Sequence, residues 1–102
     1  MNIARKRVFS TLKKVPRGMV VSYGELARIA KTSPRAVGMF MKTNTDPKTI
    51  PCYKVIRSDG RLGGYSRGLK RKIALLKKDG IKIESRRGTR HISKKYMFKF
   101  KK

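Results

Sequence analysis

The stretch SYGELARIAKTSPRAVGMFMKTN, residues 22–44, decides the fold. Ser22 and Glu25 form the S-x-x-E pattern of a capping box, in which each side chain satisfies a free backbone N–H at a helix start. Ser33 followed by Pro34 marks a second helix start, and Asn44 stands where that helix should stop. Two short helices joined by a tight connection favour a helix-turn-helix, although many helical domains contain such pairs.

One further helix is expected before this pair. Val8, Leu12 and Val15 follow helical spacing, with Arg and Lys on the other face. The pattern predicts an amphipathic helix over residues 3–14, ended by VPRG at residues 15–18.

Another helix and a basic extension are expected after it. Leu69, Ile73 and Leu76 form an apolar stripe, and Gly80 is a good C-terminal stop. The alternating stretches of residues 81–102 predict a small strand pair or a mobile basic arm. Its interleaved aromatic and lysine residues allow packing on the domain or contact with DNA, and we expect packing.

The net charge is the strongest compositional signal. The 102 residues include 29 Lys and Arg against 5 Asp and Glu, a formal charge of +24, while 38% of the residues are hydrophobic. The hydrophobic content predicts one folded domain, and a folded object this basic is expected to bind a polyanion, most commonly nucleic acid. A structural protein that only neutralises phosphates remains open at this point.

Several classes are disfavoured by what the chain lacks. One cysteine cannot form an internal disulfide, and no Cys/His cluster has zinc spacing, so no structural metal is expected. His91, alone in the basic tail, is expected to be solvated or to face phosphate. No apolar run has the length of a membrane span and the start lacks a signal-peptide core, so we expect no membrane association. The expected location is cytoplasmic or nucleoid-associated, or nuclear in a eukaryote.

The lone cysteine lies in IPCYKV, residues 50–55. Pro47 and Pro51 disfavour helix here, and Gly63 and Gly64 downstream allow close backbone approach, which is typical of a pocket wall. A thiol in a strongly positive chain is either a small buried hydrophobe or an activated nucleophile, and the local pattern alone leaves both open.

The ordered motifs VPRGMVVSYGELA, RAVG, TN, IPC, VIRSDGRLGGY and GLKRKIALLKKDG resemble the C-terminal domain of methylated-DNA–protein-cysteine methyltransferases. The resemblance runs from about residue 8 to residue 80. It implies a mainly α single domain with a small β element, of winged helix-turn-helix type, over residues 1–80, with residues 81–102 as a basic extension. It also implies a monomer that binds duplex DNA in the minor groove, rotates alkylated guanine out of the stack and accepts its alkyl group, without a cofactor.

The resemblance also assigns roles to individual residues. Cys52 matches the alkyl acceptor and Arg35 the arginine that fills the gap left by the extruded base. Tyr23 matches the tyrosine that helps turn the nucleotide out, and Asn44 the asparagine that braces the turn before the active-site loop. Plainer roles stay open for three of them: Arg35 as a phosphate contact, Tyr23 as a half-buried ring beside a cap, and Asn44 as a helix C-cap.

The remaining matches concern the DNA contact and the guanine pocket. On the predicted second helix, the resemblance adds Ala36 and Lys42 to the DNA-binding residues. The matches to the substrate pocket are Met41, Val55, Gly63, Tyr65 and Ser66. Met41 can fill the core as well as line the cleft, since the two roles are compatible.

One motif departs from the family. Where the family has Pro-Cys-His-Arg-Val, this chain has Pro51-Cys52-Tyr53-Lys54-Val55, and Asp79 matches the glutamate that steadies the missing histidine. Tyrosine, with an ordinary pKa near 10, is a poor proton acceptor at neutral pH. Either the positive surroundings ionise Cys52 and repair continues, or the protein binds alkylated DNA and flags it for another pathway. We favour repair, because the related alkyltransferase-like proteins have lost the cysteine itself.

Overall fold

A computed structural model describes residues 3–46, 49–63 and 68–100 of the chain. The elements in chain order are α1 (Ile3–Leu12), β1 (Val21–Ser22), α2 (Tyr23–Ala30), α3 (Pro34–Lys42), β2 (Val55–Ile56), α4 (Leu69–Lys78), β3 (Ile83–Arg86) and β4 (Thr89–Ile92). Two 3₁₀ turns, Cys52–Lys54 and Lys94–Tyr96, complete the fold. Helices joined to two small sheets confirm the expected fold class.

The start of α2 confirms half of the predicted capping box. The Ser22 hydroxyl accepts a hydrogen bond from the Glu25 backbone N–H at 3.0 Å. The Glu25 carboxylate, however, accepts from the Arg28 guanidinium at 2.8 Å and from the Phe100 N–H at 2.7 Å, so its predicted return bond to the cap was wrong. The Phe100 donor lies 75 residues away in the chain, and its hydrogen bond to Glu25 holds the C-terminal segment against α2.

The connection between α2 and α3 is as short as the sequence predicts. Lys31 ends α2 in the left-handed conformation, with φ 58°. Ser33 then caps α3 by accepting from the Ala36 N–H at 3.1 Å, and Pro34 occupies the first helical position. These local contacts set the two helices side by side around the buried Val37.

The two-stranded parallel sheet lies at the centre of the molecule. Val21 pairs with Val55, and Ser22 pairs with Ile56. Both valines are fully buried. The sheet therefore places the start of α2 directly beside the segment that carries Cys52.

Residues 81–102 contain the predicted strand pair. β3 and β4 form an antiparallel hairpin, in which Ile83 pairs with Ile92. Its two-residue turn has Arg87 at φ 50° and Gly88 at φ 78°, the positive angles that let a tight hairpin follow the strand twist. We call residues 83–92 the hairpin.

The segment after the hairpin packs on the domain, as expected. The Val20 N–H donates to Tyr96 O at 2.8 Å, and the Phe98 N–H donates to Val20 O at 2.7 Å. The rings of Phe98 and Phe100 meet edge to face with centroids 4.8 Å apart and pack against the same core cluster as Cys52. The segment thus extends the hydrogen bonding beside β1.

The buried face of α4 differs from the predicted stripe. Leu76 is fully buried and Ile73 is half-buried, but Leu69 is 41% exposed, so its assignment to the core was wrong. Leu69 is the first residue of α4, and at this end of the helix its side chain does not pack into the core. The fully buried side chain one turn further on is Lys72.

No helix in the described parts of the chain is long and apolar enough to cross a membrane. Within the same residues, no group of three or more His, Cys, Asp or Glu is placed to hold a metal ion.

Candidate active site

Cys52 is the first residue of the 3₁₀ turn that leads into β2. Its side chain is only 4% exposed, and its backbone N–H donates to Ile50 O at 2.8 Å. It belongs to the core cluster that also contains Met41 and Val55. The thiol is therefore held in place by packing on the helix-turn-helix side of the central sheet.

Asn44 holds the loop that leads to this cysteine. Its side-chain amide donates to Ile50 O at 3.1 Å, and its carbonyl oxygen accepts from the Asp46 N–H at 2.9 Å. The side chain is buried, and α3 has already ended at Lys42. Because both polar atoms of Asn44 are used, the residue joins the end of α3 to the residue two before Cys52.

Lys72 is a buried cation that the sequence reading missed. Its ammonium donates to Val55 O at 2.7 Å and to Leu62 O at 2.5 Å. Burial lowers its pKa to about 8, against the opposing attraction of the Cys52 charge. These two hydrogen bonds join α4 to Val55 in β2 and to Leu62 further along the chain. The lysine is also close enough to Cys52 for the two charges to interact. Its only sequence signal was its place one turn after Leu69 on the apolar stripe.

Tyr53 and Asp79, which the resemblance pairs, are in direct contact. The Tyr53 hydroxyl donates to Asp79 Oδ2 at 2.6 Å. Arg17 Nε lies 3.7 Å from Asp79 Oδ1, so the carboxylate also has a cationic partner. The contact joins the active-site turn to the C-terminal end of α4.

A second buried lysine, Lys54, lies within the cysteine motif itself. Its ammonium donates to Val15 O at 3.1 Å and to Pro16 O at 3.4 Å. Burial lowers its pKa, while the Asp79 carboxylate acts in the opposite direction. Lys54 thus fixes the turn against the residues that follow α1.

Tyr23 and Gly63 lie on another side of the cysteine. Burial raises the pKa of the Tyr23 phenol, the Cys52 charge adds to this effect, and Arg57 lowers it. Gly63 has φ +71°, and a Cβ at this position would lie 3.3 Å from the Tyr23 ring. The glycine therefore allows the chain to pass close to this ring, and Tyr23, Cys52 and Gly63 form one neighbourhood.

The predicted DNA-binding residues share α3 but differ in exposure. Arg35 in the first turn and Lys42 in the last turn are exposed, whereas Ala36 is half-buried. Val37 and Met41 form the buried side of the helix. The exposed basic side chains are thus available to a partner, while Met41 fills the core.

Two pocket predictions, Tyr65 and Ser66, lie outside the described residues, as does Gly64. The Val55 side chain is fully buried and its carbonyl accepts from Lys72, so any contact of Val55 with a base would use the remaining lone pair of that oxygen.

Known proteins resemble this chain over most of its length. The family model described as "6-O-methylguanine DNA methyltransferase, DNA binding domain" matches residues 4–81. The chain belongs to this family. A bifunctional methyltransferase/endonuclease from Picrophilus torridus is 48% identical over 82 residues, which cover 78% of this chain and 28% of the relative. A methylated-DNA–protein-cysteine methyltransferase from Sulfolobus acidocaldarius is 44% identical over 85 residues, which cover 83% of this chain and 54% of the relative.

A solved structure resembles the chain over nearly its whole length. Atl1 from S. pombe, in complex with damaged DNA containing O6-carboxymethylguanine, has a TM-score of 0.87 and 28% identity, with 97% of each chain covered. In contrast, the chain spans about half or less of the two curated methyltransferase relatives. The family model ends just before the hairpin, so the hairpin and the segment after it lie outside the family domain.

Proposed function

We propose that this methyltransferase-family chain is a single-use DNA repair protein that accepts an alkyl group from guanine oxygen-6 on Cys52. The observation that carries the proposal is the cysteine itself, held by packing and by the Asn44 loop and lying near the Lys72 ammonium. The thiol first releases its proton. Its sulfur then bonds to the alkyl carbon while the bond to oxygen-6 breaks, and the guanine leaves with that electron pair and takes up a proton.

Lys72 supports this chemistry where the family histidine is missing. Its ammonium lies in a buried environment, where a charge acts more strongly on its neighbours than it does in water. Two backbone carbonyls hold the nitrogen in place. This fixed cation interacts with the Cys52 charge, and a cation beside a thiol is a usual means by which proteins activate a cysteine nucleophile.

Tyr53 acts as a positioning residue in this proposal and not as a base. Its hydroxyl donates its proton to Asp79, and a phenol is a weak proton acceptor at neutral pH. The hydrogen bond instead holds the active-site turn against α4. Transfer therefore proceeds without the histidine relay, at a rate that relies on the positive surroundings.

We infer that α3 carries the DNA contact. Arg35 and Lys42 project from it as exposed cations, and Arg35 would fill the gap left by the base that Tyr23 helps to turn out. The proposed partner is duplex DNA with an alkylated guanine, approached from the minor groove by one copy of the chain. The net charge of +24 supports association with a polyanion.

The test is incubation of the full chain with a duplex that carries a single O6-methylguanine, followed by the intact mass of the protein. We expect one added methyl group in the parent chain and none in Cys52→Ala. An unmodified parent chain that nevertheless binds the damaged duplex more tightly than the undamaged one would refute the transfer proposal.

That refuting result would support a second candidate, a protein that binds alkylated DNA and flags it for another pathway. The specific observation in its favour is the likeness to Atl1, which extends over 97% of both chains and so includes residues beyond the family domain. The presence of Cys52 favours transfer over this candidate.

A further inference from the structure

A basic groove separates residues 57–63 from the hairpin. It has a volume of about 310 Å³, and its described lining includes Arg57 and Arg61 on one side and Thr89 and Arg90 on the other. Three of its described lining residues carry guanidinium groups, and none of them carries a carboxylate. A groove with this lining is complementary to an anion.

The two sides of the groove are held together by backbone contacts. The Ile92 N–H donates to Gly60 O at 2.9 Å, and Arg61 forms an antiparallel bridge with His91. A Cβ on Gly60 would lie 2.7 Å from His91 Nε2, so only glycine permits this approach. Because Ile92 is fully buried, the hairpin is anchored in the core, and the exposed Arg90 projects from a fixed support.

The groove also adjoins the neighbourhood of the cysteine. Gly63 lines the groove and approaches the ring of Tyr23. Arg57 Cγ lies 3.5 Å from the Cβ position of Gly63, and the charge of Arg57 acts on the Tyr23 hydroxyl. An anion bound in the groove would thus lie next to the residue expected to turn the damaged nucleotide out.

We propose that this groove binds backbone phosphates of the DNA strand that carries the alkylated guanine. The proposal rests on the proposed repair function, which makes alkylated duplex DNA the partner. A guanidinium donates two parallel hydrogen bonds to phosphate oxygens, which suits Arg61 and Arg90 on facing sides. The hairpin lies beyond residue 81, where the family model ends, so this contact is an addition to the family domain.

The existing partner of Arg61 does not prevent this role. Arg61 Nε lies 3.6 Å from Asp59 Oδ2, and the two side chains are 56% and 50% exposed. Exposed ion pairs of this kind contribute little stability. A phosphate can therefore replace Asp59 as the partner of the guanidinium.

The test measures the salt dependence of binding for the double variant Arg61→Gln/Arg90→Gln. The double variant and the parent with which it is compared both carry Cys52→Ala. No alkyl transfer then disturbs the equilibrium with a duplex containing one O6-methylguanine. Fluorescence anisotropy gives the affinity at several salt concentrations. Two lost phosphate contacts should reduce the slope of log affinity against log salt by about 1.8, so that raising salt from 50 to 200 mM weakens binding about twelve-fold less than in the parent.

The matched control is Lys13→Gln/Lys14→Gln, which removes the same charge from exposed residues just after α1 that do not line the groove. We expect its slope to stay near that of the parent. Equal slopes for the groove variant and the parent would overturn the proposal, and so would an equal drop in the groove variant and the control. The hairpin contacts to Gly60 and Arg61 described above are between backbone atoms, so the groove variant is expected to fold, which thermal unfolding verifies.

Alkyl transfer to Cys52 is measured separately in the chain that retains this cysteine. If the alkyl group is transferred but the salt slope of the groove variant is unchanged, only the proposed phosphate contact in the groove is refuted. A reduced slope without transfer supports the groove and refutes the repair chemistry, so the two failures are distinguishable.

Discussion

Because the ammonium of Lys72 is buried, we expect the free energy of unfolding to depend on pH in a way that can be calculated. Its side chain has no exposed surface, and burial lowers its pKa from 10.5 to about 8. Below pH 8 the lysine is protonated in both the folded and the unfolded chain. Between pH 8 and pH 10.5 the folded chain loses this proton while the unfolded chain keeps it, so the free energy of unfolding rises with pH.

The expected size of this rise follows from the pKa difference. One pKa unit corresponds to about 1.4 kcal/mol, so the lowered pKa of Lys72 contributes about 3 kcal/mol over the whole window. Lys72→Met cannot titrate and lacks this contribution. The variant also leaves Val55 O and Leu62 O without their present donor, which adds a destabilisation of about 1–3 kcal/mol per carbonyl that does not depend on pH.

The assay is urea unfolding of the parent chain and of Lys72→Met at several pH values from 7 to 10.5. Groups that titrate alike in both proteins cancel in the difference between their unfolding free energies. Repeating the pair in a Cys52→Ala background removes the charge that interacts with the lysine. We expect the difference in favour of the parent to grow by about 3 kcal/mol across this range. A difference that stays constant from pH 7 to 10.5 would refute the account of Lys72 as a buried, titrating cation.

Two further predictions concern Tyr53 and the C-terminal segment. Tyr53→His should speed methyl transfer in single-turnover measurements, because it restores the proton acceptor of the family. An equal or slower rate in Tyr53→His would mean that the tyrosine has a productive role of its own. Tyr53→Phe should lower the free energy of unfolding by about 1–2 kcal/mol through loss of the bond to Asp79. Phe98→Ala should lower the free energy of unfolding by about 2 kcal/mol, because the half-buried ring packs on the core and on Phe100. The exposed neighbour Lys99→Ala is the control for that measurement, and an effect on stability no larger than the control's would contradict the packing role of the segment.

Local contacts were the predictable part of this fold. The Ser22 and Ser33 caps each join residues three apart, so the sequence pattern specifies them without knowledge of the tertiary structure. The alternation after residue 81 predicted either a strand pair or a mobile basic arm, and the structure shows the strand pair. The return bond from Glu25 failed as a prediction because Phe100, 75 residues away, offers its N–H to the same carboxylate.

In the candidate site, too, some residues could be predicted from the sequence and others could not. The resemblance to the family identified Tyr53 and Asp79 as a pair, and the structure brings them into contact. Lys72 could not be recognised as a site residue from its own helix, where a lysine normally faces solvent. Its burial depends on two carbonyls, those of Val55 and Leu62, which come from a separate segment and meet α4 only in the folded chain.

The most direct measurement for the whole account is the fate of a labelled methyl group. A duplex whose single O6-methylguanine carries an isotopically labelled methyl is mixed in increasing amounts with the full chain, and the protein is then digested and mapped by mass spectrometry. We predict that the label appears on the peptide containing Cys52 and reaches a plateau at one methyl per protein molecule. Label that stays on the DNA while the protein binds it, or label on any residue other than Cys52, would contradict the account.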